Sequence, residues 1–140
     1  MLFRSPPEIY NGEKEIFANH WHCDTNDTSQ TILFTNLMDV TSEHGPLEVQ
    51  SIKRTKELVK KGFGYRNNYN LPDNIVNDPN HIIKHIGPVG STLWAWTTVC
   101  LHRATNPAPG KFRDMMQIRL KPSVEPYTDD WPDEASSYQK

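Results

Sequence analysis

Long hydrophobic runs are absent from this sequence. Its 140 residues contain no apolar run of about 18 residues, the length that a membrane-spanning helix requires. Residues 1–8 also lack the apolar stretch of a secretory signal peptide. We therefore expect a cytoplasmic protein without a membrane partner.

Cysteine is scarce as well, and neither sign of charge dominates. The formal net charge is -2 at pH 7 and the only basic stretch is short, at 53–61, so we expect no nucleic-acid partner. The two cysteines, Cys23 and Cys100, could form at most one disulfide, and alternation along the strands predicted below argues against it. We expect reduced thiols in a reducing compartment. Cys100 is interpreted either as a site-lining residue or, preferably, as a small buried filler.

The sequence does contain a succession of short strand-like segments. Residues 1–122 fit one domain, whereas 123–140 is rich in proline and acidic residues and is expected to be a loosely ordered tail. Only 53–61 predicts a helix, which ends at Gly62. The long segment 62–80 is interpreted as an irregular loop, either a substrate lid or a mobile surface insertion. Many short strands with Gly and Pro turns predict an all-β sandwich or barrel. The predicted strands are 15–25, 31–39, 47–52, 81–86, 93–101 and 112–120.

Three side chains have the chemistry and spacing of metal ligands. In the predicted strand 15–25, His22 and Asp24 share a face because alternate residues point the same way, roughly 7 Å apart. His102 follows directly after the predicted strand 93–101. Two imidazoles and one carboxylate form a facial triad that leaves three coordination positions open, which suits Fe(II). The sequence therefore predicts a non-haem iron site.

Arg113 is the candidate partner for a carboxylate at that site. A keto acid that chelates iron with one end leaves a second carboxylate inside the protein, which needs a charge-assisted hydrogen bond. Arg113 lies eleven residues after His102, beyond the turn-rich segment 106–110 and near the start of the strand 112–120. This order predicts a hairpin that brings His102 and Arg113 to one cavity.

Three segments together resemble a known family. They are W-H-C-D-T at 21–25, F-T-N-L-M-D-V-T-S-E-H-G-P-L-E-V at 34–49, and L-H-R-A-T-N-P-A-P-G-K-F-R at 101–113. In this order they resemble the phytanoyl-CoA dioxygenase-like branch of the Fe(II) and 2-oxoglutarate-dependent oxygenases, over about Phe17 to Pro122. The resemblance implies a double-stranded β-helix, also called a jelly roll or cupin-like barrel, with one short helix.

The resemblance also implies a reaction and a set of roles. His22, Asp24 and His102 would bind Fe(II), and Arg113 would bind the distal carboxylate of the cosubstrate 2-oxoglutarate. Dioxygen would be consumed to hydroxylate a small organic molecule, with release of succinate and carbon dioxide, and ascorbate would serve as a reductant. The carboxylate of Asp24 favours a hydroxylase over related halogenases, which lack it. The sequence identifies neither the substrate nor the oligomeric state.

Two departures from the family pattern keep other interpretations open. Only 21 residues precede His22, so we expect the chain to lack most of the usual N-terminal region, and Ala104 stands where some members have a serine that contacts the cosubstrate. One alternative is a catalytically inactive or truncated jelly-roll binding module. A second is a cupin-type metal protein, suggested by the pair His20 and His22 and by His102 with Asn106 four residues later, but without the glutamate expected after the second histidine. A third is a zinc hydrolase with the same ligands.

Other polar and aromatic residues near these motifs have simpler interpretations. Arg103 is expected to form a structural salt bridge, and His20 to be a supporting or surface histidine rather than a ligand. Trp94 and Trp96 would form either a cavity wall or core packing. Arg119 has the parity of a rival carboxylate partner, but it would lie about 20 Å further along its strand.

Overall fold

The computed structural model of the chain describes residues 2–5, 19–25, 31–64 and 71–120. Two antiparallel sheets dominate these residues, which confirms the predicted all-β class. The strands are β1 Leu2–Ser5, β2 Thr31–Asn36, β3 Leu47–Gln50, β4 Ile82–Lys84, β5 Thr92–Ala95, β6 His102–Ala104 and β7 Arg113–Leu120. The helices are α1 Ile52–Lys60 and α2 Asp73–Val76, and single 3-10 turns span Ser42–His44 and Pro79–His81.

The larger sheet has the strand order β1-β7-β2-β5. The alternation of side chains in β2 shows that one face of this sheet is buried. In β2, the side chains of Ile32, Phe34 and Asn36 are buried, and the residues between them are half-buried. This period of two is that of a strand with one face in the core. Asn36 pairs with Met115 of β7, so the buried rows of the two strands share one face.

The smaller sheet has the order β4-β3-β6 and packs its inner face on the larger sheet. Leu47 and Val49 of β3 belong to one apolar cluster with residues of the larger sheet. Face-to-face packing of this kind is that of a β-sandwich. In the part of the chain that the structure describes, the two sheets do not close into a barrel. The cluster comprises Ile32, Phe34, Leu47, Val49, Ala95, Cys100 and Met115.

A second apolar cluster lies under helix α1. Trp21, Leu58 and Leu101 are almost completely buried there. Ser51 precedes the helix as its N-cap, and its hydroxyl accepts a hydrogen bond from the Arg54 backbone N–H. This confirms the predicted helix with a shift of one residue. Among the described residues no helix has the length and apolar character that crossing a membrane requires.

The prediction of a single helix is wrong, because α2 lies within the segment predicted to be irregular. Pro72 precedes it, and two buried side chains bind its carbonyl oxygens: Arg54 Nη2 donates to Ile75 O at 2.6 Å and Gln50 Nε2 to Val76 O at 2.9 Å. These tertiary hydrogen bonds stabilise a four-residue helix that has little local signal. Residues 65–70 of the predicted lid lie outside the described residues, and the lid stays a prediction.

The predicted hairpin between His102 and Arg113 is also wrong. Strand β5 ends at Ala95, and the next residues turn, with the backbone N–H of Cys100 donating to Trp96 O at 2.9 Å. His102 therefore begins β6 rather than following β5 directly, and β6 belongs to the smaller sheet whereas Arg113 begins β7 of the larger sheet. The turn is needed because the chain crosses between the two sheets.

The first predicted strand, 15–25, is not a regular strand where the structure describes it. Residues 15–18 lie outside the described residues, and from 19 to 25 His22 alone makes a β-bridge. The segment therefore has a single β-bridge in place of a continuous strand. The predicted strands 31–39, 47–52, 81–86 and 112–120 are confirmed in shorter form. The predicted tail, 123–140, lies outside the described residues.

Candidate metal centre

A backbone bridge joins the two candidate histidine ligands. His22 N donates to His102 O at 3.1 Å, and His102 N donates to His22 O at 2.9 Å. Residues that face each other across an antiparallel bridge project their side chains to the same side. The two imidazole rings accordingly lie with centroids 4.3 Å apart and planes tilted by 51°. The main chain therefore sets the spacing of the histidines.

Each imidazole is turned by a second backbone contact. His22 Nδ1 lies 2.7 Å from His20 O, and His102 Nδ1 lies 3.1 Å from Cys100 O. A carbonyl oxygen only accepts hydrogen bonds, so in each neutral ring the proton belongs on Nδ1 and the lone pair on Nε2. This is the orientation of a metal-binding histidine whose second nitrogen is fixed by the protein.

Asp24 completes the cluster from the same short segment. Its backbone N–H donates to Thr97 O at 2.9 Å, which places the residue beside the bridge. Asp24 Oδ1 lies 3.8 Å from His22 Nε2 and 3.6 Å from His102 Nε2. Adjacent ligands of an ion with bonds of about 2.1 Å are roughly 3.0 Å apart, so small inward movements would bring these atoms to bonding distance.

The electrostatics of the cluster favour a carboxylate ligand. Burial acts to raise the pKa of Asp24, but polar contacts with the His102 and Thr97 side chains, together with the charges of the two imidazoles when protonated, lower it to about 2. Asp24 is therefore ionised at neutral pH. Its negative charge beside two buried imidazole nitrogens matches what a divalent cation requires.

The three ligand atoms lie within 4.8 Å of one another, and this group could hold a metal ion. It is the one such group among the residues that the structure describes. Two nitrogens and one oxygen form a donor set of intermediate softness, which suits Fe, Zn and related first-row divalent ions. The structure thus brings together His22, Asp24 and His102, the residues that the sequence predicted as ligands.

Arg113 lies in the interior at the start of β7. Its side chain is only 3 % exposed and shares the inner face of the larger sheet with Met115. The predicted rival Arg119 has the same parity, but it is exposed at the opposite end of the strand. Burial of a guanidinium is costly and indicates a specific function or partner. The role of Arg113 in binding a carboxylate stays a prediction.

Several secondary predictions have clear outcomes. Arg103 forms the expected salt bridge, with Nη2 at 2.7 Å from Glu48 Oε2, and it also stacks over the Trp21 ring at 4.5 Å. The prediction that Trp94 and Trp96 pack in the core is wrong, because these side chains are 61 % and 41 % exposed. The structure therefore assigns Arg103 to stability and leaves the two tryptophans at the surface.

The two cysteines are free, as expected. Burial raises the pKa of Cys23 to about 11, and the neighbouring Cys100 and Asp24 add to the effect. The Cys23 thiol is therefore protonated and a poor nucleophile or metal ligand. Cys100 belongs to the apolar cluster between the sheets, in agreement with its interpretation as a filler.

Sequence reasoning missed three polar residues of the interior. Thr97 accepts a hydrogen bond from the Asp24 backbone N–H through its carbonyl oxygen and is completely buried, while Asn36 and His85 are buried in the core region. Asn36 follows the alternation of β2 and could have been assigned to its inner face. Thr97 lies in the turn after β5 and His85 follows a strand of three residues, so neither carries a periodic signal.

Comparison with known proteins adds no family. None of the protein-family models that were searched matches the chain, and no match was found among curated proteins. The fold and the site define a two-sheet β protein with a His-Asp-His cluster that could bind a metal.

Proposed function

We propose that this chain is a non-haem Fe(II)- and 2-oxoglutarate-dependent dioxygenase of the phytanoyl-CoA dioxygenase-like family. It would hydroxylate a small organic molecule, releasing succinate and carbon dioxide. The observation that carries the proposal is the convergence of His22, Asp24 and His102, with both Nε2 atoms turned to one carboxylate oxygen. His102 lies far along the sequence from His22 and Asp24, and the fold brings the three side chains into one group.

The residues present fit a bound Fe(II) ion. His22 and His102 offer Nε2 lone pairs because their Nδ1 atoms contact carbonyl oxygens, and Asp24 offers an ionised oxygen. Fe(II) bound by such a triad supplies dioxygen activation and chelation of a keto acid. The protein contributes orientation and charge: Asp24 balances the cation, and buried Arg113 binds the far carboxylate of 2-oxoglutarate.

The arrangement of the sheets supports the finer fold assignment. We propose that the four-stranded and three-stranded antiparallel sheets are the two walls of a jelly roll. Two facing antiparallel sheets with a site built from β6 and a neighbouring segment are compatible with this architecture. Free cysteines support the proposal of a reducing, cytoplasmic compartment.

Succinate formation tests the proposed function directly. The purified chain is loaded anaerobically with Fe(II), mixed with 2-oxoglutarate and air-saturated buffer, with and without ascorbate, and succinate is quantified. We expect slow Fe(II)-dependent succinate release even without a substrate, loss of it in His22→Ala, and retention in His81→Ala. His81 is a suitable control because it is an exposed histidine outside the metal cluster.

Two other results would point to the alternative functions. Tight metal binding without succinate release would support a binding module that retains the site but not turnover. Preference for Zn(II) without any effect of 2-oxoglutarate would support a cupin-type protein or a hydrolase. Either result would contradict the dioxygenase proposal.

A further inference from the structure

His85 is a buried histidine outside the metal cluster. It directly follows β4, is 6 % exposed, and its backbone N–H donates to Leu47 O at 2.8 Å. The pairing of β3 with β4 places Glu48 opposite Lys84, so Leu47 is opposite His85 and their side chains share a face. Leu47 belongs to the apolar cluster between the sheets. His85 therefore projects toward the larger sheet.

Arg113 and Asn36 line the larger sheet on the facing side. Asn36 is opposite Met115 across the β2–β7 ladder, and Arg113 is the next residue of β7 on that same face. Diagonal neighbours across an antiparallel pair are within reach of long side chains. The Arg113 charge also acts on His85, where burial first and this charge second lower the imidazole pKa. Arg113 and His85 are therefore two buried side chains on the inner faces of the two sheets.

Three buried polar atoms in this region lack a hydrogen-bond partner among the described residues. They are Nε2 of His85 and both side-chain polar atoms of Asn36, whose side chain is 0 % exposed. Buried polar atoms in native proteins are almost always satisfied, by protein groups, by ordered water or by a ligand. Because Arg113 contributes a buried positive charge to the same inner face as Asn36, an anionic ligand with oxygen acceptors fits best.

We propose that His85 is a ligand-binding residue, which donates a hydrogen bond from Nε2 to the same carboxylate that Arg113 binds, in a site lined also by Asn36. This inference rests on the proposed function, because that carboxylate would be the distal one of 2-oxoglutarate. A neutral imidazole adds a donor without a second positive charge beside Arg113. His85 would thus help the site to select a dicarboxylate keto acid over a monocarboxylate such as pyruvate.

Glutarate is the first probe, because it has both carboxylates of 2-oxoglutarate but no keto group to chelate a metal. Its dissociation constant is measured by NMR titration of the metal-free chain for wild type, His85→Leu and His85→Gln. We expect His85→Leu to weaken glutarate binding by about tenfold, the loss of one charge-assisted hydrogen bond. His85→Gln retains a donor and should stay within about threefold of wild type.

A second pair of ligands separates this inference from the proposed function. With the Mn(II)-loaded chain, His85→Leu should weaken 2-oxoglutarate binding but leave pyruvate binding unchanged, because pyruvate lacks the distal carboxylate. Unchanged glutarate affinity in His85→Leu, or no glutarate binding by the wild type, would overturn the inference and assign the partners of these atoms to water. His85-dependent glutarate binding by a chain that binds no metal would instead overturn the proposed function alone.

Discussion

His22 and His102 exchange two backbone hydrogen bonds, of 3.1 and 2.9 Å, and their imidazole rings lie 4.3 Å apart. The ligand spacing is therefore set by main-chain pairing and does not depend on the ion. Sites that are held in place before binding lose less entropy when the ligand arrives. Because the backbone pairing does not involve the side chains, the fold should tolerate loss of one ligand side chain.

His22→Ala tests this separation of binding from folding. The variant keeps both backbone hydrogen bonds, because they involve only main-chain atoms, but it loses one of three ligands. We expect affinity for Fe(II) or Zn(II) to fall by at least about 100-fold, because loss of a direct ligand should weaken metal binding more than loss of a residue that only orients a ligand. Competition with a chromophoric chelator measures the affinity, and circular dichroism verifies the fold. Metal affinity equal to that of the wild type would exclude His22 as a ligand.

Metal binding should also stabilise the folded chain. An ion that binds only the folded state at a free concentration of about 100 times its dissociation constant adds about 2.7 kcal/mol to the free energy of unfolding. Asp24→Asn keeps the shape of the side chain but removes its negative charge, and we expect it to lose most of this increment. Thermal unfolding with and without Zn(II) provides the measurement. An equal increment in both proteins would argue that Asp24 does not bind the ion.

Acidification should reveal the buried state of His85. Burial, together with the Arg113 charge, lowers the pKa of His85 in the folded chain, whereas in the unfolded chain this pKa is about 6.5. Between these two values the unfolded state binds the extra proton. The contribution of the neutral His85 imidazole to the free energy of unfolding is therefore fully present above about pH 6.5 and is lost as the pH falls toward the folded-state pKa.

His85→Leu removes this contribution to the pH dependence. From about pH 7.5 to 5.5 the free energy of unfolding should fall less in the variant than in the wild type. Urea denaturation at each pH, followed by fluorescence of the tryptophans, gives the two profiles. Parallel profiles would show that His85 titrates alike in the folded and unfolded chains.

Gly45 should be intolerant of any side chain. Its φ is +65°, and a Cβ atom there would lie 2.6 Å from Pro107 N, 2.8 Å from Asn106 C, and in contact with Thr105 O, all backbone atoms of the connection between β6 and β7. Gly45→Ala should cost about 2–4 kcal/mol, because clash adds to the left-handed backbone penalty. Gly110→Ala is the matched control: its φ is +75° but nothing lies within 4 Å.

The control variant should lose only about 1 kcal/mol, the cost of a left-handed alanine. Denaturant unfolding of both glycine variants distinguishes the cost of the clash from the cost of the left-handed backbone. Equal losses would mean that backbone conformation alone limits the Gly45 position, and that the connection carrying His102 to Arg113 is not tightly packed there.

Local patterns predicted the parts of the fold that local patterns determine. The alternation in β2 and β7 is that of strands with one buried face, and both were found within a few residues of their predicted bounds. The spacing of His22 and Asp24 likewise survives, although the segment is not a regular strand, because alternate residues in any extended chain point the same way.

Long-range contacts determined what the sequence could not show. Helix α2 depends on hydrogen bonds from Arg54 and Gln50, which lie in other elements. The end of β5 depends on where the chain leaves one sheet for the other, so the sequence does not show that His102 begins a separate strand. His85 is buried just after the three-residue strand β4, and no neighbouring residue signals this burial.

Anaerobic titration of the purified chain with Fe(II) and 2-oxoglutarate tests the site most directly. A keto acid that chelates Fe(II) gives a weak visible charge-transfer band, which neither component gives alone. We predict that the band appears at one equivalent of Fe(II), is absent in His22→Ala, and requires much more 2-oxoglutarate in Arg113→Gln. A folded wild-type chain that binds Fe(II) but gives no band at any 2-oxoglutarate concentration would contradict the dioxygenase assignment.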